Sequence, residues 1–498
     1  RAARRAGRRR SPSSSRRRSA SPSEPPVRRG KASQARADHG GGRGASLQHR
    51  RRHGGNSANS SRSRTEPRCG AGGASPKRFQ QRQLDRRSSP SVRHGENSHA
   101  GGQGKVAQPR EVEVGSRSKS ESGSSGASSD EDEIVHFDWH QGMVLNSKYH
   151  LIRLLGDGTF GRVVLAHCPS NGYQVAIKII RDVKRYTENA KVEAEILEAI
   201  HKADPQGASG CAVMYETFTY EQRFFCLVFE PLGPSLYDFL KGNAYRGFWM
   251  QDIQSYAQQS MKALDFLHTR LHMTHTDLKP ENILLASMDP PQMAHFPREE
   301  EWLRMRRSSS HSDDAHVGGY WRPASSRIKL IDFGNATYED EHHSSIINTR
   351  QYRGPEVLLG LGWNEVSDLW SIGCILMELY TGNQLFETHE ELEHMAIISR
   401  VIGTLPQQML DMSDQAVKQS YLTQDATSGC WRLPWPDRAA SSSSERHVCS
   451  QRPLREQVLW QHAPFANFLC ELLTLNPSRR SSAAKALQHP FFEERVRD

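Results

Sequence analysis

The sequence predicts an α+β fold of two lobes, one small, antiparallel and β-rich with a single helix, the other larger and mainly helical. A disordered Arg/Ser-rich tail precedes them. Three observations predict this. Residues 1–129 are dominated by Arg, Ser, Gly and Pro, with too few large apolar side chains to offset the entropy of ordering them. Apolar periodicity then opens with YHLIRLLGDGTFGRVVLAHCPSNGYQVAIKII, which reads as strand, Gly-rich turn, strand, Asn-Gly turn, strand. After Gly233, stretches such as IQSYAQQSMKALDFLH and SDLWSIGCILMELYTG have helical spacing.

Charge divides the chain at the same place. Residues 1–120 hold 26 Arg and 4 Lys against 7 acids, about +23, so residues 121–498 carry about −13 of the +10 total. A basic tail therefore precedes an acidic body. Its eight cysteines form no CxxC pair, so free thiols and no structural zinc are expected. No apolar run is long enough to span a membrane. The opening RAARRAGRRR lacks the apolar core of a signal peptide and has no initiator Met, as expected of a fragment.

The expected domains are the tail (1–129), an acidic lead-in (130–148) and a catalytic body (149–495). Within the body the small lobe covers about 149–230 and the large lobe about 234–495. Arg185–Ile200 reads as the small lobe's helix, and FFCLVFE (224–230) as a strand leading to a hinge near Glu230-Pro231-Leu232. Two inserts, about 287–326 and 426–463, read as surface loops carrying short elements.

The chemistry-bearing residues follow in order. Gly156-Asp157-Gly158-Thr159-Phe160-Gly161, with Arg162 and Val163 behind it, is a Gly-rich turn joining two strands. A dinucleotide site needs a strand leading into a helix, whereas this setting lets backbone N–H groups approach ATP phosphates. In Val175-Ala176-Ile177-Lys178 a lysine stands on an apolar strand, suited to the α and β phosphates if a helix glutamate steadies it. Glu193 is the first choice for that partner and Glu195 the second; they lie about 200° apart on a helix, so only one can face the lysine. In HTDLKPEN, Asp277 would accept the substrate hydroxyl proton, Lys279 would steady the transferring group, and Asn282 would hold magnesium. Asp332 of the DFG triplet would chelate the same cation. Adenine is expected among Leu155, Val163, Ala176 and Leu284, with Phe229 behind it and Glu230 and Leu232 at the hinge. Glu356 is expected to pair with Arg480, and Asp368 to cap the catalytic loop from a buried helix. A dead scaffold would lack Lys178, Asp277 or Asp332, and all three are present.

Three runs, THTDLKPENIL, DFGNATYEDEHHSS and TRQYRGPEVLLGLGW, resemble the LAMMER (CDC-like, CLK) dual-specificity protein kinases of the CMGC group. The last carries the group's Tyr352-Arg353 pair. HMAIISR (394–400) stands where that family has HLAMMER, with His394, Ala396 and Arg400 matching. The resemblance implies the two-lobed eukaryotic protein kinase fold, ATP and Mg2+ as cofactors, and a monomeric catalytic domain. It also implies Arg/Ser-rich substrates such as splicing factors, tyrosine autophosphorylation, and a nuclear location with shuttling to the cytoplasm.

One position departs from most kinases of this pattern. Thr276 replaces the arginine that would bind an activation-loop phosphate, and it has neither charge nor a bidentate fork. LAMMER kinases share this threonine, so a kinase active without a phosphate docked there is expected. Ser344 and Ser345 remain open to modification, and Thr349 is expected to bond Asp277 and Lys279. The tail, with SRRRSASPS and SRSKS, itself looks like substrate. Its basic runs imply nuclear import or non-specific RNA contact, and the rival reading is an RNA- or splicing-factor-binding scaffold.

Overall fold

The computed structural model describes residues 136–308 and 318–498. The expectation of a disordered tail lies outside the described residues. Six strands form one antiparallel sheet: β1 (Val144–Leu145), β2 (Tyr149–Asp157), β3 (Gly161–Cys168), β4 (Tyr173–Ile180), β5 (Met214–Tyr220) and β6 (Phe224–Phe229). Their spatial order is β1-β2-β3-β4-β6-β5. Between β4 and β5 runs α1 (Lys184–Ala203), whose buried stripe of Ala190, Ala194, Ile196, Leu197 and Ile200 also includes Glu193. A carboxylate inside an apolar stripe needs a partner, and that need marks Glu193 over the exposed Glu195.

Two expectations about the small lobe change. MYETFTY (β5) escaped notice, since its polar residues alternate along an edge strand. The lead-in is part of the lobe: Phe137 is buried in the sheet's core, and β1 pairs with β2.

The large lobe opens with α2 (Leu236–Gly242), capped by Ser235, and α3 (Met250–Arg270). Short strands β7 (Met273–Thr274) and β8 (Ile283–Leu285) flank the catalytic loop. The first insert carries β9 (Gln292–Ala294), α4 (Glu299–Ser308) and β10 (Tyr320–Arg322), and β11 (Ile328–Leu330) then pairs with β8. β12 (Thr337–Tyr338) follows the DFG turn and pairs with β7. Next come α5 (Pro355–Leu358) and α6 (Val366–Thr381), every residue of which is buried. An apolar helix surrounded on all sides is the pillar of a large core. The chain continues through α7 (Glu391–Val401), α8 (Gln407–Met412), α9 (Gln415–Tyr421), the hairpin β13 (Thr423–Gln424) and β14 (Trp431–Arg432), α10 (Ser442–Ser450), α11 (Ala463–Leu472) and α12 (Ala483–Ala486).

Neither insert is merely a surface loop. Phe296, Trp302 and Tyr320 form a buried cluster, and Arg298 pairs with Asp498, whose other carboxylate oxygen accepts the Met250 N–H that opens α3. In the second insert, Ser444 donates to Glu393 on α7. Arg400 on α7 donates to the Gln451 carbonyl at 3.1 Å. The HMAIISR segment is therefore a buried helix on which the second insert docks.

Candidate active site

Strand register assembles the nucleotide side. Val163 faces Lys178 across β3 and β4, and Ala176 faces Phe229 across β4 and β6. Directly paired residues, and those two apart, share a face of a sheet. Val163, Ala176, Lys178 and Phe229 therefore point to the same side, the one covered by α1. Lys178 Nζ reaches Glu193 Oε1 and Oε2 at 2.9 and 2.8 Å, and Asp332 Oδ1 at 3.7 Å. Burial works against the Lys178 ammonium, but the Glu193 and Asp332 carboxylates outweigh it and raise its pKa. The lysine stays charged, as a phosphate ligand must.

The Gly-rich turn has room for a ligand. A Cβ built on Gly156 would meet nothing within 4 Å, and one on Gly158 only the Gly161 carbonyl at 3.7 Å. Gly161 differs: its Cβ would lie 2.1 Å from the Ile179 carbonyl oxygen, so packing against β4 requires that glycine. Two other residues of the turn have their side chains engaged by the protein: Arg162 donates its guanidinium to Asp157 and to the Phe137 carbonyl. Glu230 likewise uses its carboxylate elsewhere, accepting from the Val213 N–H at 2.9 Å and pairing with Lys329 at 3.1 Å. Leu155, Val163 and Leu284 are half-buried, and Ala176 and Leu232 buried.

The catalytic loop is held from below. Asp368 on α6 accepts from the N–H groups of His275 and Thr276 at 2.8 and 3.1 Å, and from His268 Nε2 at 2.9 Å. Asp277 then takes Thr349 Oγ1 on one carboxylate oxygen at 2.8 Å and Lys279 Nζ on the other at 2.7 Å. Thr349 was expected to contact Lys279 as well; the bonds instead converge on Asp277 from the two sides. Asn282 Nδ2 donates to the Asp277 carbonyl at 2.9 Å, leaving its Oδ1 as a free donor atom for a cation. Asp332 sits at φ 65°, ψ 69°, an unfavourable backbone for a non-glycine residue that turns the carboxylate into the cleft. Among the described residues no group of three His, Cys, Asp or Glu side chains could hold a metal. A divalent cation here would rest on Asp332 and Asn282, with phosphates completing its shell, a ligand set that suits a cation retaining water.

The activation segment is tied down at several points. Thr276, 3% exposed, donates from Oγ1 to the Asn335 carbonyl at 2.7 Å. Its own carbonyl accepts from the Asn348 N–H and Nδ2. Arg353 donates to the Ile347 and Asn348 carbonyls. Burial, then the neighbouring Arg350, lowers its pKa. His343 stacks on Trp363 at 4.1 Å, and Trp363 Nε1 donates to the Ser344 carbonyl at 2.7 Å. Ser344 and Ser345 are exposed. Arg480 forks onto Glu356 at 2.7 and 2.8 Å, both side chains fully buried. Trp363, Asn348 and His268 were not singled out in the sequence. Nothing local marks Asn348, whereas Trp363 stood in a recognised run without a role.

Residues 149–492 match the family model described as "Protein kinase domain". Arabidopsis thaliana serine/threonine-protein kinase AFC2 is 39% identical over 371 residues, 74% of this chain and 82% of AFC2. Human dual specificity protein kinase CLK1 is 38% identical over 370 residues, 73% of this chain and 70% of CLK1. The chain is a LAMMER (CDC-like) protein kinase. A solved kinase domain, PF14_0431, is 41% identical with a TM-score of 0.64, covering 72% of this kinase and 100% of that chain. This LAMMER kinase is a dual-specificity serine/threonine protein kinase. Like protein kinases in general, it uses ATP with a divalent cation and acts on protein.

Proposed function

We propose that this kinase phosphorylates serine and threonine in basic, Arg/Ser-rich proteins, splicing factors among them, and so regulates pre-mRNA splicing from the nucleus. Magnesium is the cation, held by Asn282 and Asp332, and ATP supplies the phosphoryl group when bound. Asp277 accepts the proton of the attacking hydroxyl, Lys279 balances the charge beside it, and Lys178 orients the phosphates while Glu193 fixes its position. Phosphoryl transfer asks for positioning and charge neutralisation, and these side chains supply both. Because unmodified side chains and backbone anchor the activation segment, the kinase works without a phosphate docked at Thr276.

The observation that carries the substrate class is the charge contrast. The acidic body exposes Glu339, Asp340 and Glu341 just beyond the DFG turn, and Glu281 of the catalytic loop lies close enough to Asp277 and Asp238 to feel both. Such a surface favours basic peptides and speeds their encounter. The test is phosphate incorporation into an Arg/Ser-repeat peptide by phosphatase-treated enzyme made in bacteria, beside an Asp277→Asn control. Prompt incorporation is expected, weakening with salt and lost when the arginines become glutamines. Equal rates on the glutamine peptide would remove the substrate proposal, and silence until a second kinase acts would remove the phosphate-free one.

A further inference from the structure

The Gly-rich turn has open space around Gly156 and Gly158, yet two arginines fasten it to the lead-in of the small lobe. Arg162, at the start of β3, donates from Nε to Asp157 Oδ2 at 3.0 Å and from Nη1 to the Phe137 carbonyl at 2.6 Å. Arg181, just past β4, donates from Nη2 to the Gly158 carbonyl at 2.7 Å and lies 3.7 Å from Asp157 Oδ1. Its Nη1 meets His136 Nε2 at 3.3 Å, and its backbone N–H donates to the Phe160 carbonyl at 3.0 Å. One carboxylate, Asp157, is thus shared by two guanidiniums that also grip residues 136 and 137.

The far end of this chain of contacts is rigid. Phe137 is 4% exposed and packs edge-on against Tyr220 and Phe224, with centroids 5.8 and 5.3 Å away. Burying that ring fixes the carbonyl on which Arg162 closes. The near end is loose, because the glycines at 156 and 158 have open space around them and glycine carries the greatest backbone freedom.

We propose that Arg162 and Arg181 form a clamp through which residues 136–137 set the position of the Gly-rich turn over ATP. They act as positioning residues for nucleotide binding, and the inference rests on the cleft being the ATP site. The ion pairs are partly exposed, and such pairs contribute little to global stability. Their effect falls on the glycine-containing turn instead, where fixing its position beforehand lowers the cost of gripping phosphates.

The experiment uses the full chain and a fluorescent ATP analogue, with hydrogen exchange read at residues 157–161. Arg181→Gln, Arg162→Lys and Phe137→Ala are each compared with the wild type. Arg162→Lys keeps a cation beside Asp157, but all its donors sit on one nitrogen, without the planar fork whose Nε and Nη1 reach Asp157 and the Phe137 carbonyl separately. Each variant should weaken nucleotide affinity about three- to tenfold and speed exchange in the turn, raising KM for ATP more than it lowers kcat. Phe137→Leu, which keeps an apolar anchor, should restore most of the affinity. An Asp277→Asn enzyme that binds nucleotide normally but does not turn over separates failed chemistry from a failed clamp. Unchanged affinity and exchange in Arg162→Lys would overturn the proposal, whether or not Phe137→Ala folds. So would an Arg181→Gln defect that neither Phe137→Ala nor Arg162→Lys reproduces.

Discussion

The Thr276 hydroxyl donates to the carbonyl of Asn335, joining the catalytic loop to the turn that carries Asp332 across 2.7 Å. Thr276 holds this place at φ 66°, a backbone that β-branched residues seldom adopt. A short neutral side chain thus stands where an arginine would read a phosphate, and it ties together the two loops that such a phosphate would order.

Removing that hydroxyl breaks the direct bond between the two loops and leaves the Asn335 carbonyl with only the Thr337 hydroxyl at 3.2 Å, a loss of about 1 kcal/mol. Thr276→Val should lower kcat roughly tenfold while KM for peptide changes little, and Thr276→Ser should stay near the wild type. Steady-state kinetics on an Arg/Ser peptide check both.

Glu193→Gln keeps the shape of the helix stripe but removes the charge that Lys178 meets at 2.8 Å. A misplaced lysine should lower kcat/KM for ATP by about 100-fold. Circular dichroism should show an intact fold, and a variant with normal kinetics would refute the role given to this pair.

The Arg480–Glu356 pair has no solvent to fall back on. Arg480→Met strands a buried carboxylate and should destabilise the large lobe by about 3–5 kcal/mol. Urea unfolding should register most of that loss, and the double variant Glu356→Gln/Arg480→Met should recover part of it.

Glu378 on α6 accepts from the Tyr352 hydroxyl at 2.7 Å. Burial, with Glu281 adding to it and the tyrosine opposing it, pushes its carboxyl up to about 7 from 4.5. The fold therefore favours the protonated form. That stability is fully present below about pH 4.5 and is lost as pH rises through about 7, on the order of 3 kcal/mol in all. Thermal melts of Glu378→Gln should fall less steeply than the wild type across this window.

Deleting residues 1–129 should abolish nuclear accumulation and leave phosphorylation of a short Arg/Ser peptide within about threefold, since the groups proposed for the chemistry lie in the acidic body. Localisation by microscopy and kinetics of the purified body measure the two separately. Loss of peptide phosphorylation would place the tail in substrate recognition.

The candidate site was largely legible because its parts are short linear motifs whose order along the chain is itself informative. Lys178, Asp277, Asn282 and Asp332 stand together as their runs suggested, and helical phase allowed only one of Glu193 and Glu195 to face the lysine, the first choice, Glu193, being the one that does. Side-chain direction within the Gly-rich turn and hinge was not legible. Arg162 and Glu230 belong to the right segments, but partners at Phe137 and Lys329 turn their charged ends away. Local spacing cannot register partners that lie 25 and 99 residues away. The inserts' packing was not legible for the same reason: their polar runs read as surface loops with short elements, while Phe296 and Trp302 cluster with Tyr320 across the insert and Ser444 meets Glu393 on α7.

By itself the sequence determined the two-lobed class, the kinase motifs and the contrast between basic tail and acidic body. These follow from composition, periodicity and residues close along the chain. Tertiary structure alone decided that the lead-in belongs to the small lobe, that α7 is the seat of the second insert, and that Thr276 anchors Asn335. Each of these depends on which buried donor meets which acceptor, and a chain settles that only by folding, when its remote segments lose water together.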